Sequence, residues 1–448
     1  MSGPDPKGSG EPNAGILIAY AAPALPAAML GLPLLVFLPA YYAQATPLSL
    51  TTIGVVLLIA RLWDVAIDPA IGFLSDRTRS RWGRRRPWML AALPLVLAAS
   101  FMLFRPPADA GILYLLGWML IVYLGWSMLQ IPHQAWGAEL CAEYHARNRV
   151  TAWRESLTVA GVALASALPV LLASGPGRPV EEAALEAILW STFILLPLAG
   201  FALFALVPEP KAIVPAAWPG WREGAAALRA NAPFRRLIGS YLVNGVANAL
   251  PATLFLLYAG DVLGAGGQEG AFLLLYFLCG LASVPFWLAY AKRTSKHRAW
   301  CHAMLIACLG FLPAPLLGNG DALWFMAICV VTGLCFGADL ALPASMQADA
   351  VDAETAETGA ARTGLYFALW SVATKLALAL APALAFPLLE AAGYARGAAS
   401  GDGLFVLAAL YAWVPVAFKL AAVAAIWNFP LDAAAQGALR ARIAARAS

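Results

Sequence analysis

The stretch Arg61-Leu-Trp-Asp-Val-Ala-Ile-Asp-Pro69 places charged side chains inside a long apolar run, and a basic segment that ends at Arg86 follows it. Charges at membrane depth cost roughly 2.5–3.5 kcal/mol each on insertion scales, so they commonly mark a functional site. The two acids of the stretch, Asp64 and Asp68, are one helical turn apart and therefore share a helix face. The stretch predicts a membrane helix that holds a cation and leads into a basic loop.

The composition of the chain is that of a membrane protein. Of its 448 residues, 61% are hydrophobic and only 12% are charged, and the mean hydropathy is +0.73. Soluble domains carry about 25% charged residues. Long apolar segments recur, each suited to a helix of roughly 20 residues across a ~30 Å hydrocarbon core. They lack the two-residue alternation of barrel strands. We therefore expect an all-α membrane protein with twelve transmembrane helices. The predicted segments are 16–44, 51–74, 88–105, 111–137, 150–174, 187–207, 237–263, 269–292, 299–317, 323–348, 363–389 and 403–428.

A polar stretch at 208–236 divides the predicted helices into two groups of six. We expect a disordered tail at 1–15, a first six-helix bundle at 16–207, this stretch as a cytoplasmic linker, a second bundle at 237–428 and a tail at 429–448.

The distribution of positive charge predicts the orientation of the chain. Most of the 29 lysines and arginines lie in the tails and in the loops after even-numbered predicted helices, whereas the opposite loops hold only Arg105, Arg178 and Arg396. Cytoplasmic loops carry the excess of positive charge. Both termini are therefore predicted to be cytoplasmic, in an inner membrane of the bacterial type.

The two halves of the chain have a similar sequence pattern where the second and the eighth predicted helices end. Pro69 precedes Arg77 by eight residues, and Pro285 precedes Arg293 by the same spacing. Similarity between corresponding positions of two halves is typical of transporters built from internal repeats. Val284 stands where the first half has an acid, so the acid pair is not duplicated and indicates a specific task for the second helix.

The acid pair needs a partner in the low dielectric of a membrane. Two carboxylates this close cannot both stay ionised alone. Either one of them holds a proton, or a cation lies between Asp64 and Asp68. The alternative is an ion pair of Arg61 with Asp64, three residues on, that leaves Asp68 protonated or near the interface.

The fourth predicted helix carries a polar stripe. Ser127, Gln130 and Gln134 recur with helical spacing, Trp126 precedes them, and Pro132 frees backbone carbonyls that a cavity or an ion can use. We interpret the stripe as the lining of a cavity. Hydrogen bonding between helices is the alternative.

Four further charges fall inside or at the start of predicted helices. Arg154 either reaches the interface with its long side chain or faces a substrate. Asp339 needs a partner, and Lys375, near mid-span, has no acid within a turn. The acids of the second helix and Asp339 are therefore its candidate partners. Lys419 has no polar neighbour, so we assign it a structural role.

The sequence carries no pattern of an enzyme, a metal centre or a nucleic-acid-binding surface. The six cysteines form no Cys-x-x-Cys pair, and Cys301-His302 with Cys308 is better explained by core and helix-end residues than by a metal site. No nucleophile–base pair stands out. We expect no cofactor other than a coupling ion.

At the second helix the chain resembles the glycoside–pentoside–hexuronide:cation symporters of the major facilitator superfamily, the melibiose-permease group. The resemblance rests on Arg61-x-Trp63-Asp64-x-x-x-Asp68-Pro69-x-x-Gly72, then Thr78-Arg79-Ser80-Arg81-Trp82-Gly83 and Pro87-Trp88. Further matches are Ile131-Pro132, Arg154, Asp349, Asp352 and Lys375.

The resemblance implies a major facilitator fold of two six-helix bundles that work by alternating access. It implies that Asp64 and Asp68, with the hydroxyl of Ser127, bind the coupling cation, H⁺ or Na⁺. It also implies a loop at 75–87 that stabilises a closed state. The expected gating residues are Asp76, Arg77, Arg84 and Arg85. The expected substrate-binding residues are Trp126, Gln130, Gln134, Arg154, Asp339, Ser371 and Lys375.

The chain departs from the family pattern at three positions. Ala28 and Gln130 replace acids that grip the sugar, and Ile67 replaces an asparagine of the cation site. Fewer hard oxygen ligands remain for sodium, which favours a proton.

We expect a monomeric symporter of a small organic solute, a sugar or glycoside by family default, with membrane lipid as its other partner and no nucleic acid. The alternative is a lysophospholipid or another amphipathic substrate, as in the sodium-coupled lysophosphatidylcholine transporters of this superfamily branch. A receptor that binds a ligand without flux is the alternative outside the transporter class.

Overall fold

The computed structural model describes residues 13–140, 144–172, 180–209, 231–358, 363–395 and 401–431, together with Ala226 and Arg229. These residues form helices joined by short loops, and no strand occurs among them. The all-α class predicted from the apolar segments is confirmed.

The first half of the chain begins with α1, an interrupted helix over Ala14–Ala45. It continues with α2 (Leu50–Arg77), α3 (Arg86–Phe104), α4 (Ile112–Leu140), α5 (Tyr144–Leu172) and α6 (Val180–Leu206). The second half contains α7 (Ala232–Val262), α8 (Glu269–Arg293), α9 (Lys296–Leu316), α10 (Ala322–Thr358), α11 (Thr363–Ala391) and α12 (Gly401–Ile426).

Within the described part of the chain, 11 helices are long and apolar enough to cross a membrane. The remaining helix of these twelve, α5, forms at the predicted place. Its first half carries Arg149, Arg154 and Glu155, and the sequence of its second half is apolar.

The tenth helix extends well beyond its predicted end at 348. Asp349 is buried inside α10, where Lys296 Nζ lies 2.5 Å from its Oδ2. Because a buried carboxylate with a cationic partner is stabilised, the polar sequence at this point does not end the helix.

The prolines of α1 interrupt the regular helix. Regular helix stops at Ala21 and resumes at Ala24, and a π-helical turn occupies Pro33–Phe37. Proline removes an N–H donor and clashes with the preceding turn. Single π turns within helices are rare and often mark functional sites.

The chain forms two compact units. Unit 1 comprises Met1–Leu34, Trp63–Pro107 and Leu113–Ala216, and unit 2 comprises Leu35–Leu62, Ala108–Ile112 and Ala217–Ser448. The division into bundles at 16–207 and 237–428 stays a prediction.

Inside unit 2, the start of α2 packs closely on α11. A Cβ atom added at Gly54 would lie 2.7 Å from the carbonyl oxygen of Pro382 and 3.3 Å from the ring of Phe386. Only glycine permits this approach of the two backbones.

Candidate functional site

The two acids of α2 meet a hydroxyl from α4 inside unit 1. Ser127 Oγ lies 2.6 Å from Asp68 Oδ1 and 3.2 Å from Asp64 Oδ1. Asp64 and Ser127 are each 1% exposed, whereas Asp68 is half-buried. The three side chains that the sequence assigned to a cation therefore lie together, and their role in binding it stays a prediction.

These three side chains can bind a proton or a small cation. A hydroxyl has one proton and two lone pairs, so Ser127 can donate to a carboxylate or coordinate a cation. Ile67 lies buried between the acids in sequence and offers no oxygen. No group of three or more His, Cys, Asp or Glu suited to a metal ion occurs among the described residues.

The polar stripe of α4 changes its environment along the helix. Ser127 is buried, Gln130 is half-buried and Gln134 is exposed. Trp126 is half-buried and packs on Gly31 of α1, whose added Cβ would lie 3.4 Å from the indole. The stripe thus leads from the acid pair to an exposed end of the same face.

A buried contact that sequence reasoning missed joins α4 to α1. Tyr20 Oη donates to the carbonyl of His133 at 3.1 Å, and His133 Nε2 lies 2.7 Å from the carbonyl oxygen of Tyr20. The two rings are 4.6 Å apart, and His133 is 1% exposed. The contact fixes α4 two turns after Ser127. Tyr20 and His133 are 113 residues apart, so no local sequence pattern predicts their contact.

Arg154 pairs with its sequence neighbour. Its Nη2 lies 2.5 Å from Glu155 Oε1, and the arginine is half-buried while the glutamate is exposed. A substrate-facing role for Arg154 stays a prediction.

In unit 2, Asp339 of α10 is held by side chains from three other helices. Trp300 Nε1 donates to its Oδ1 at 2.5 Å, two asparagines of α7 donate to its oxygens, and Lys419 Nζ lies 3.6 Å from its Oδ2. Lys419 was assigned a structural role because the sequence shows no polar neighbour. In the structure, Asp339 is the acidic residue that forms an ion pair with Lys419.

Ser371 and Lys375 lie one turn apart on α11. Ser371 is exposed and Lys375 is half-buried. Between them, Thr374 Oγ1 lies 3.0 Å from the hydroxyl of Tyr241 on α7, whose ring stacks on Trp370 at 3.8 Å. This stack holds the α11 turn that presents the two predicted substrate residues.

The loop after α2 is an ordered part of unit 1. Arg85 is 2% exposed, and its Nη1 lies 2.5 Å from Asp76 Oδ1 and 3.0 Å from Ser75 Oγ. The guanidinium of Arg77 lies 3.7 Å from the ring centre of Phe73. The predicted gating residues Asp76 and Arg85 are therefore in direct contact.

Glu209, which follows α6, binds the same loop and was not singled out from the sequence. Its Oε1 accepts from the backbone N–H groups of Arg84 and Arg85 at 2.7 and 2.8 Å. Its Oε2 lies 3.3 Å from Arg86 Nε. Gly83 has φ +98°, and an added Cβ would lie 2.4 Å from the Glu209 carboxyl carbon, so glycine is required there.

Comparison with known proteins places this chain among membrane transporters. The model of the family "MFS/sugar transport protein" matches residues 19–433. A "glucuronide carrier protein homolog" of Escherichia coli (strain K12) is 24% identical and covers 88% of each chain. The "sodium-dependent lysophosphatidylcholine symporter 1-A" of Danio rerio is 22% identical, over 93% of this chain and 85% of that one.

A solved structure shares the fold. It is the crystal structure of a bacterial homologue of the human lysosomal transporter Spinster, with a TM-score of 0.68 and 12% identity over 96% of this chain and 97% of that chain. With the family match, this similarity confirms the predicted major facilitator fold.

Proposed function

Because the chain belongs to the MFS/sugar transport protein family, and is thus a membrane transporter rather than an enzyme, we propose that it is a cation-coupled symporter. It moves a small organic solute by alternating access, as a monomer in a bacterial-type inner membrane with both termini in the cytoplasm. Asp64, Asp68 and Ser127 hold the coupling ion.

The contact of Ser127 with both carboxylates carries this proposal. In the absence of a positive charge the two acids repel each other, and burial of Asp64 raises that cost. A bound cation or proton removes the repulsion and lowers the cost of a state in which the pair is enclosed. Solute movement is then tied to the ion because the loaded site favours the conformational change.

The ligand set favours a proton over sodium. The site offers two carboxylates and one hydroxyl, and Ile67 contributes no further oxygen. Sodium, like other hard cations, is held by several oxygen ligands, whereas a proton needs one carboxylate and an acceptor for its hydrogen bond. Ser127 is such an acceptor once a carboxyl group is protonated.

A sugar or glycoside is the solute class that family membership favours. The predicted substrate-binding residues are a tryptophan, two glutamines and a serine with Arg154, Asp339 and Lys375, a set that suits hydroxyl-rich solutes.

An amphipathic lipid is the second candidate, and a specific feature of α1 favours it. Ala28 carries no carboxylate, and its Cβ would lie 2.9 Å from a Cβ added at Gly161 of α5. The position that grips the sugar in the resembling family is therefore occupied here by helix packing. The similarity to the lysophosphatidylcholine symporter supports the same alternative.

Gradient-driven uptake into proteoliposomes tests the symport function. Sugars, glycosides, glucuronides and lysophosphatidylcholine are offered under an inward proton gradient, an inward sodium gradient, or neither. We expect accumulation of one class above the equilibrium level under one gradient and its loss in Asp68→Asn. Asp109→Asn, in an exposed loop, serves as the matched control. Equal accumulation by Asp68→Asn and the parent chain would show that the acid pair does not couple transport.

A further inference from the structure

A charged cluster inside unit 2 joins α7, α9, α10 and α12. Its centre is Asp339 with Lys419, whose side chains are 11% and 6% exposed. The ammonium does not touch the carboxylate at hydrogen-bonding distance, since Lys419 Nζ and Asp339 Oδ2 are 3.6 Å apart. The two charges attract each other across a gap that other polar groups bridge.

Asn244 and Asn248 form that bridge, and each uses both ends of its amide. Their oxygens accept from Lys419 Nζ at 2.8 and 2.7 Å. Their NH₂ groups donate to Asp339 Oδ1 and Oδ2 at 2.9 and 3.0 Å. Trp300 donates to Oδ1 at 2.5 Å. The ion pair is therefore built into a network, and its charges have defined partners on both sides.

A cavity of about 20 Å³ opens beside the pair. Its lining contains Asp339, Lys419, Asn248, Tyr276 and Thr332, the last two with hydroxyl groups, together with apolar residues such as Met304 and Phe336. A cavity of this size that presents several polar groups can hold one water molecule. A proton can reach the carboxylate through such a water, which a pair sealed by apolar side chains would not allow.

Helix packing alone gives no reason for these charges. A buried ion pair is often no more stabilising than apolar side chains of the same volume, and each charge is expensive at membrane depth. The same cost makes an intramembrane acid and its partner a candidate for ion transfer, since proton relays in transporters use such groups. The cavity and the asparagine bridge distinguish this cluster from a sealed contact.

We propose that Asp339 is a second ion site of this transporter, one that binds a proton, and that Lys419 is its positioning residue. A hydronium ion in the cavity donates its proton to Asp339 Oδ2: an O–H bond of the hydronium breaks, an O–H bond forms on the carboxylate, and a neutral water remains, so the net charge of the pair rises from zero to +1. The two asparagine oxygens retain the ammonium, while its attraction to Asp339 is lost. The junction of α12 with α10 is thereby loosened.

The groups that face the pair do not supply an alternative acid. Tyr276, Tyr241 and Cys335 interact electrostatically with Asp339, and Cys308 with Lys419. All four are neutral in their protonated forms, so Asp339 supplies the carboxylate of this cluster.

The consequence for transport rests on the proposed symport function, but proton binding itself requires no solute. Acid-induced infrared difference spectra of the purified, lipid-reconstituted chain report the carbonyl stretch of each newly protonated carboxyl group. We expect Asp339→Asn to lose one component of this band that Asp68→Asn retains. Thr192→Val, at a buried position of α6 in unit 1 and outside the cavity, should keep the Asp339 component and the component that depends on Asp68.

Two variants keep the carboxyl group and guard against misfolding of Asp339→Asn. Trp300→Phe removes one donor to Asp339 and should shift the frequency of its band. Lys419→Met removes the counter-charge, so the band should be present before acidification. Spectra of all three variants that match the parent chain, over the pH range in which thermal melts show folded protein, would overturn the proposal and leave a fixed structural contact. A parent spectrum that contains the Asp339 component but no component that depends on Asp68 would count against the symport site and not against this one.

Discussion

The backbone N–H of Thr51 donates a hydrogen bond of 2.9 Å to Glu390 Oε2, and so the last turn of α11 caps the first turn of α2. The first N–H groups of a helix lack partners within it and attract negative charge. Together with the close approach at Gly54, this contact holds α2 against α11 inside unit 2.

Gly54→Ala should weaken that contact. The added methyl group would lie 2.7 Å from the Pro382 carbonyl oxygen, so the two helices must separate, at a cost of about 1–3 kcal/mol as for other overpacked sites. Thermal unfolding in detergent measures the loss. Gly239→Ala, in α7 with open space around its Cβ, is the matched control and should gain up to about 1 kcal/mol from helix propensity. Equal melting temperatures for the two variants would contradict the close approach.

Glu390→Ala should destabilise the same contact by about 1–2 kcal/mol, because the Thr51 N–H loses a charged acceptor at a helix N-terminus. Glu390→Gln keeps an oxygen acceptor and should retain part of the effect. The measurement is reaction of Ser49→Cys with a membrane-impermeant maleimide, which should speed up in the alanine variant. An unchanged rate in both variants would show that Glu390 does not hold α2.

Ser127→Ala should lower the apparent affinity for the coupling ion about tenfold, since loss of a hydrogen bond to a charged group costs about 1.5 kcal/mol or more. Ser127→Thr keeps the hydroxyl and should restore most of the affinity. The measurement is solute uptake as a function of ion concentration. Affinities that do not differ between the alanine and threonine variants would remove Ser127 from the site.

Glu209→Ala should destabilise unit 1 by about 2–4 kcal/mol, because the Arg84 and Arg85 N–H groups lose their acceptor and Arg86 loses its ion-pair partner, although it keeps the Val207 carbonyl. Limited proteolysis between Arg77 and Arg86 measures exposure of the loop. Asp109→Asn, at an exposed position, should cleave at the rate of the parent chain. If Glu209→Ala resisted proteolysis as well as the parent chain, Glu209 would not be what holds this loop.

Tyr20→Phe should cost about 1 kcal/mol of stability, the usual worth of a buried neutral hydrogen bond, since the His133 carbonyl loses its hydroxyl donor. His133→Leu should cost more, because the Tyr20 carbonyl oxygen then loses its own partner in a buried position. Chemical denaturation monitored by tryptophan fluorescence gives both values. A larger loss for Tyr20→Phe than for His133→Leu would reverse the assigned importance of the two bonds.

Element positions could be predicted because apolar runs of membrane length admit few other structures. The interruptions of α1 have a local cause in its prolines. The length of α10 has no such local cause, because its continuation depends on the contact of Lys296 with Asp349, and these residues lie on different helices. The helix α5 forms where its apolar run predicts it, in spite of the charges in its first half.

The candidate site, like the fold, could be predicted only in part from the sequence. Asp64 and Asp68 could be paired from their spacing, and Ser127 was added through the family resemblance. Glu209 binds its loop across 125 residues, and Lys419 reaches its asparagines across more than 170. Such partners cannot be matched from one sequence, because nothing local distinguishes a charge with a distant partner from one that faces water.

The hydrogen bonds around Asp339 and Lys419 also fix which of the two positions carries the acid. If the acid and the lysine exchanged positions, the side-chain amides of Asn244 and Asn248 could rotate by 180° and bind both again. An amide presents a donor on one side and an acceptor on the other. Trp300 could not adapt in this way, because an indole N–H only donates and it points at Asp339. An ammonium at position 339 would face that N–H. One donor-only side chain thus determines which helix carries the acid and which carries the base, and it makes the pair directional where the amides alone would be reversible.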